Sequence, residues 1–168
     1  KRQLVQLQKE IFNASVFYDV RLALWQTEEV INILNRHKDF FVPVQRSLYV
    51  AMFIGMATIF DLDSRTVSLE NLLKRAAGNR EELVPRMSPQ DIIDLRESLN
   101  QHSKVRDAIN RERNQNLAHS DAHPDPSLPK TMGEIDSLLE TVDQVFNRLS
   151  SSHDGQYFSH DFQRDRSA

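Results

Sequence analysis

Arg113 and His119 are the residues of this chain best equipped for chemistry. They lie in the stretch RERNQNLAHSD, residues 111–121, together with Asn114, Asn116 and Asp121. A guanidinium presents a fixed planar fork to phosphate oxygens. A neutral imidazole exchanges a proton near physiological pH. An asparagine beside them can orient either group or a bound substrate. Gathered in one groove, these groups suit polar catalysis on a phosphate ester. The opposing explanation is that Asn116 and His119 are helix-end residues satisfied by local backbone and water.

The position of these residues makes the question sharper. With Val105 set at zero and about 100° added per residue, Ile109 falls at about 40° and Ala108 at about 300°. These define an inward stripe. On the same count Glu112 lies at about 340°, Asn116 at about 20° and His119 at about 320°, with Arg113 on the flank at about 80°. The stripe therefore turns polar without changing direction. Burying such groups without partners costs about 1–3 kcal/mol each. They must pair, face a cleft or face another subunit. On one ideal helix Arg113 and His119 are about 9 Å apart along the axis and about 120° apart around it. A straight helix does not aim both at one phosphate, so either the helix ends before His119 or a second chain contributes.

The elements that must hold this stretch read as helices. Residues from Gln3 to Gln26 show helical spacing, with Leu4, Leu7, Ile11, Ala14 and Tyr18 in register. Thr27 has the character of an N-cap for a short helix through Val30, Ile31 and Leu34 to Arg36. After Asp39 comes FFVPVQRSLYVAMFIGMATIF, whose broad apolar stripe (Phe41, Val44, Leu48, Met52, Met56, Ile59) predicts a helix at the centre of a bundle. Pro43 is tolerable there only near the first turn, and Gly55 would admit a neighbouring helix. Gln45 and Arg46 interrupt the run, which favours a buried helix over a membrane span.

DLDSRTV, residues 61–67, reads as a loop. Ser68 caps LENLLKRAA, and Gly78 is placed to end that helix as its C′ residue. Residues 79–87 read as irregular. Ser88 and Pro89 start the next helix, which carries Ile92, Ile93, Leu95 and Leu99. A weak break at Gln101–Ser103 leads into the helix that bears Arg113. Pro124, Pro126 and Pro129 impose a loop. Thr131 and Glu134 have capping-box spacing ahead of a final helix through Leu149. The expectation is one all-α domain over residues 1–150, an antiparallel bundle of about five to seven helices. Its core would come from the third helix, the last and the two between, and residues 151–168 would form a loose polar tail.

Composition agrees. The chain has 168 residues, which suffices for one core, and four glycines, too few for a turn-rich sheet protein. It has no cysteine, which excludes disulfides and thiolate metal sites. The first residue is Lys1, which implies a trimmed start, and no signal peptide or membrane span is visible. A net charge of −3 argues against a nucleic-acid binder that uses its whole surface. Lys104, Arg106, Arg111 and Arg113 still form a mildly basic strip, suited to an RNA groove or to a solvated helix face. The aromatic residues read as core, with Phe12, Phe17 and Tyr18 as exceptions.

Other constellations are weaker. His119, Asp121 and His123 alternate, but at a helix end their spacing has no fixed geometry for a metal. There Asp121 would orient His119 or begin the loop turn. Asp61 and Asp63 could hold Mg²⁺, yet turn chemistry accounts for them. No glycine-rich phosphate loop is present. No metal and no cofactor is expected.

RNQNLAHSD resembles the signature of the HEPN superfamily: Arg, a polar residue, a few more, then His after four to six positions, with five here. LAHSD and the upstream LYVAMFIGMATIFDLDSRTVSLENLLKRA are similar to the branch named after the abortive-infection U phage-resistance system (AbiU2-like), over roughly residues 5–150. The resemblance implies a metal-independent endoribonuclease of a bacterial defence or toxin system, working as a cytoplasmic homodimer with two Arg–His motifs facing across the interface. It makes His119 the general acid/base at the RNA 2′-hydroxyl and Arg113 the holder of the scissile phosphate. Asn114 would support the site, with Asn116 and Asp121 as helpers. The products would be a 2′,3′-cyclic phosphate and a 5′-hydroxyl. It also suggests a nucleotidyltransferase-type antitoxin as a partner. The alternative is a non-catalytic module that binds RNA or protein through the same dimer face.

Overall fold

The structure, a computed structural model, describes residues 1–25, 27–117 and 132–157, the side chains of 115–117 excepted. Within them the chain is all-α. The helices are α1 (Arg2–Ala23), α2 (Glu28–Arg36), α3 (Lys38–Ile59), α4 (Leu69–Gly78), α5 (Arg80–Leu83), α6 (Pro89–Asn100), α7 (Ser103–Arg111) and α8 (Met132–Asp154). A π-turn, Glu112–Leu117, continues α7.

The helix starts follow local hydrogen-bond chemistry. The Thr27 hydroxyl accepts from the Val30 N–H at 3.2 Å, and the Ser68 hydroxyl accepts from the Asn71 N–H at 3.2 Å. Ser88 and Asp91 satisfy each other reciprocally: the Asp91 N–H donates to Ser88 Oγ at 3.1 Å and the Ser88 N–H donates to Asp91 Oδ2 at 2.6 Å. Pro89 follows in the first helical position, where a missing N–H costs nothing. Thr131, the residue expected to cap α8, lies outside the described residues.

α3 packs most extensively against α1. Leu7, Ile11, Ala14 and Tyr18 of α1 meet Met52, Phe53, Met56, Ala57 and Ile59 of α3 in a single apolar core, which α4, α6, α7 and α8 complete. α1 is thus a principal core helix, beyond the share expected for it. Gly55 faces Ala14 across this seam, and a Cβ added there would stand 3.4 Å from the Ala14 Cβ. Small residues on both sides allow the two backbones to approach.

Several expectations are corrected. α3 is central only in its second half, because Phe40 and Val42 are 64% and 60% exposed. Among the described residues α2 covers little of this half of α3. Among the described residues α3 is the one helix long and apolar enough to cross a membrane, and 28% of its most apolar window is buried. Pro43 sits in the second turn rather than the first, so the Asp39 carbonyl loses its intrahelical donor. Gly78 is not a left-handed C′ residue. It stays within α4, and the Asn79 N–H closes the helix on the Arg75 carbonyl at 2.9 Å. The segment read as irregular holds α5. The last helix runs past the boundary at 150 to Asp154, because Ser152 is buried and His153 Nδ1 bonds the Leu83 carbonyl at 2.8 Å.

The α1–α3 seam sets a size limit at Gly55. Gly55→Ala should be tolerated or stabilising by up to about 1 kcal/mol through helix propensity. Gly55→Leu should destabilise by about 1–3 kcal/mol through overpacking. Urea denaturation of both variants measures the contrast.

Candidate functional site

α7 reaches the site along a regular apolar stripe. Val105, Ala108, Ile109 and then Glu112 are its buried positions, which is the i, i+3, i+4, i+7 face of an α-helix. The same periodicity that buries Val105 and Ile109 carries the Glu112 carboxylate inward, as counted from the sequence. A carboxylate in such a place needs hydrogen bonds. Tyr49 of α3 supplies one: its Oη donates to Glu112 Oε1 at 2.8 Å. Burial pushes the Tyr49 phenol well above its ordinary ionisation range, and the hydrogen bond to the Glu112 carboxylate adds to the shift. Arg21 of α1 opposes it, with its guanidinium 4.8 Å from the centre of the Tyr49 ring.

Beyond Glu112 the helix widens into the π-turn. Its sequence, ERNQNL, is rich in asparagine, whose side chain competes with helical backbone bonding. In an i→i+5 turn each residue advances less than 100°. The straight-helix count therefore applies as far as Glu112; the positions it gave the Asn116 side chain and His119 lie outside the described residues. π-turns inserted in helices are frequent at functional sites.

Arg113 and Asn114 emerge on this turn. The Arg113 side chain keeps 31% exposure. Its Nε donates to Asn114 Oδ1 at 3.0 Å, and its Nη1 lies 3.9 Å from Asp61 Oδ2. So the structure brings Arg113 and Asn114 together, and adds Asp61 from the loop after α3. The backbone of Asn116 lies in the same turn, and its side chain is outside the described residues. His119 and Asp121 also lie outside them, as does His123.

Asp61 and Asp63 are turn residues. Asp61 Oδ1 accepts from the Asp63 N–H at 2.9 Å, and Asp63 Oδ1 accepts from the Arg65 N–H at 3.0 Å. The Arg65 side-chain bond holds the Asp63 carboxyl below the usual range. Among the described residues no group of three or more His, Asp or Glu side chains could hold a metal ion. Arg106 leaves the expected basic strip: its guanidinium bonds Glu70 at 2.5 Å and lies 4.9 Å from the centre of the Phe60 ring. It braces α7 against α4.

Sequence reasoning missed a cleft beside this turn. Arg21, Trp25, Gln45, Arg46, Tyr49 and Glu112 line a space of about 380 Å³, with Val42 and Val50 as apolar wall. The available signal was the polar pair Gln45–Arg46 within an otherwise apolar run. The aromatic assignment is corrected with it. Tyr18 is 1% exposed, with its hydroxyl donating to the Met132 carbonyl at 2.9 Å, and Phe17 packs on the core. Trp25, Phe40 and Tyr157 join Phe12 as exposed rings among the described residues, at 53%, 64% and 73%.

An all-helical bundle presenting Arg113 on a widened turn, with a histidine six residues on in sequence, fits a HEPN-type protein. The family model for HEPN proteins of the AbiU2 kind matches residues 1–168, and the chain belongs to that family. Membership supports a general ribonuclease or defence role. No curated protein and no solved structure matches the chain.

Removing the phenol should expose how much the Glu112 contact contributes. Tyr49→Phe should cost about 1–3 kcal/mol, since a buried acceptor loses one of its donors. The folded-state pKa of Tyr49 is raised, so its contribution is fully present below the unfolded value near 10 and is lost as pH rises through the folded value. Tyrosinate absorbance during alkaline titration should show a late-ionising component that Tyr49→Phe removes.

Proposed function

We propose that this protein is a metal-independent endoribonuclease of a bacterial defence or toxin system, acting in the cytoplasm. The observation that carries this reading is Arg113, partly exposed on a π-turn and held, among the described residues, by one long carboxylate contact. A partly exposed pair of that kind contributes about 0–1 kcal/mol, so an RNA phosphate can displace Asp61 from the guanidinium. Arg113 then holds the scissile phosphate and offsets its developing charge. Asn114 braces Arg113 through Nε. His119 takes the proton from the RNA 2′-hydroxyl and returns one to the leaving 5′-oxygen, with Asp121 and Asn116 in support. The phosphorus–oxygen bond to the 5′-oxygen breaks as the 2′-oxygen bond forms, which leaves a 2′,3′-cyclic phosphate and a 5′-hydroxyl.

A homodimer completes the proposal, with two such motifs across one interface. A nucleotidyltransferase-type antitoxin is its proposed regulator. A second reading rests on a separate observation: Ile33, Phe40 and Val42 are exposed apolar side chains on α2 and the first half of α3. Exposed apolar patches of this kind mark interaction surfaces, so a non-catalytic module would bind RNA or protein without cleaving it.

Structured RNA incubated with the protein in EDTA should be cleaved to cyclic-phosphate ends, and the matching DNA should not. Arg113→Ala and His119→Ala should each lower the rate by about 10²–10⁴-fold while circular dichroism stays unchanged. RNA bound equally by all three proteins and cut by none would establish the module instead. Light scattering should return twice the 19.5 kDa chain mass; a monomer at working concentration would remove the two-chain site.

A further inference from the structure

The cleft beside Glu112 has a composition that the proposed chemistry does not use. At about 380 Å³ it falls at the small end of ligand sites, about 300–1,000 Å³. Its size suits one nucleotide rather than a folded RNA. Two guanidinium groups reach it, from Arg21 and Arg46. Arg21 lies against the Tyr49 ring. Arg46 is exposed and has no ion-pair partner among the described residues. Trp25 adds a large flat ring, 53% exposed. The exposed indole and the exposed Arg46 side chain line the same cleft. This is the arrangement that single-stranded nucleic acid requires, with bases stacked on aromatic rings and phosphates on Arg.

Glu112 narrows the choice. It contributes to the cleft wall. A nucleobase offers amino and imino hydrogens that a carboxylate accepts. Glu112 is also the first residue of the turn that bears the proposed phosphate ligand, Arg113.

We propose that this cleft is a subsite for one unpaired nucleotide of an RNA substrate, with the base against Trp25 and its phosphate between Arg21 and Arg46. The inference rests on the ribonuclease reading for its substrate class, and it is tested without cleavage. Trp25 is the one tryptophan in the chain, so intrinsic fluorescence reports on this cleft alone. The full chain carrying His119→Ala, in EDTA, is titrated with an unstructured pentaribonucleotide. Saturable quenching is expected, weakening as salt rises. Adding Arg46→Gln should weaken binding roughly tenfold, the loss of one charge-assisted contact, without endangering a fold that Arg46 does not hold. Arg21→Gln should act in the same direction.

No quenching, or quenching that Arg46→Gln leaves unchanged, overturns the subsite. So does equal quenching by inorganic phosphate or by a poly-glutamate peptide at matched concentration. Cleavage by the otherwise unmodified protein that Arg46→Gln leaves at full rate, with no fluorescence change, refutes the subsite and leaves the ribonuclease reading standing. Quenching as expected in a protein that never cleaves refutes the catalytic reading and keeps the nucleotide site.

Discussion

The buried carboxylate of Glu112 is the constraint around which the candidate site is built. An ionised carboxylate withdrawn from water costs several kcal/mol unless it is hydrogen-bonded, by about the size of the effective penalty for a buried ion. Tyr49 meets that need from the facing helix, and in doing so ties α3 to the end of α7. The place where α7 stops being regular is therefore also the place where its inner face is anchored. Arg113 leaves the helix immediately after the anchor. Its direction depends on a bond that its neighbour makes.

This anchor works because the scaffold behind it is rigid. α1 and α3 meet through Ala14 and Gly55, close enough to pack Met52, Met56 and Ile59 against Leu7 and Ile11. α8 closes the core from the other side with Leu138, Val142 and Phe146, all buried. Arg106, paired to Glu70 and laid on Phe60, fixes the start of the same helix that ends at Glu112. One end of α7 is held by an ion pair and the other by a phenol.

The first half of α3 behaves differently from the second. Below Tyr49 the helix feeds the core, and above it Phe40 and Val42 stand in water. Arg21, Trp25 and Arg46 collect around that half. A chain with a net charge of −3 thus concentrates positive charge at one small hollow, next to the turn that carries Arg113. Local field matters there more than net charge, because a cleft with low-dielectric walls focuses it.

Local chemistry settled much of this protein before any fold was known. Thr27, Ser68 and Ser88 start helices because their hydroxyls satisfy backbone N–H groups within the same few residues. The inward face of α7, Glu112 included, follows from periodicity alone. The family was legible in the Arg–His spacing and its surroundings. Tertiary structure decided the rest. Whether Gly78 lies beyond a helix end or stays inside the helix depends on how α4 and α5 pack, since a glycine allows both. Which aromatic rings stay wet depends on which helices arrive to cover them, and so Trp25 and Phe40 were misplaced while Tyr18 was drawn inside. The turn departs from the α-helix at Glu112, where the inner face meets Tyr49, a residue 63 positions away. A periodic count sees only neighbours along the chain, and that contact is made across the fold.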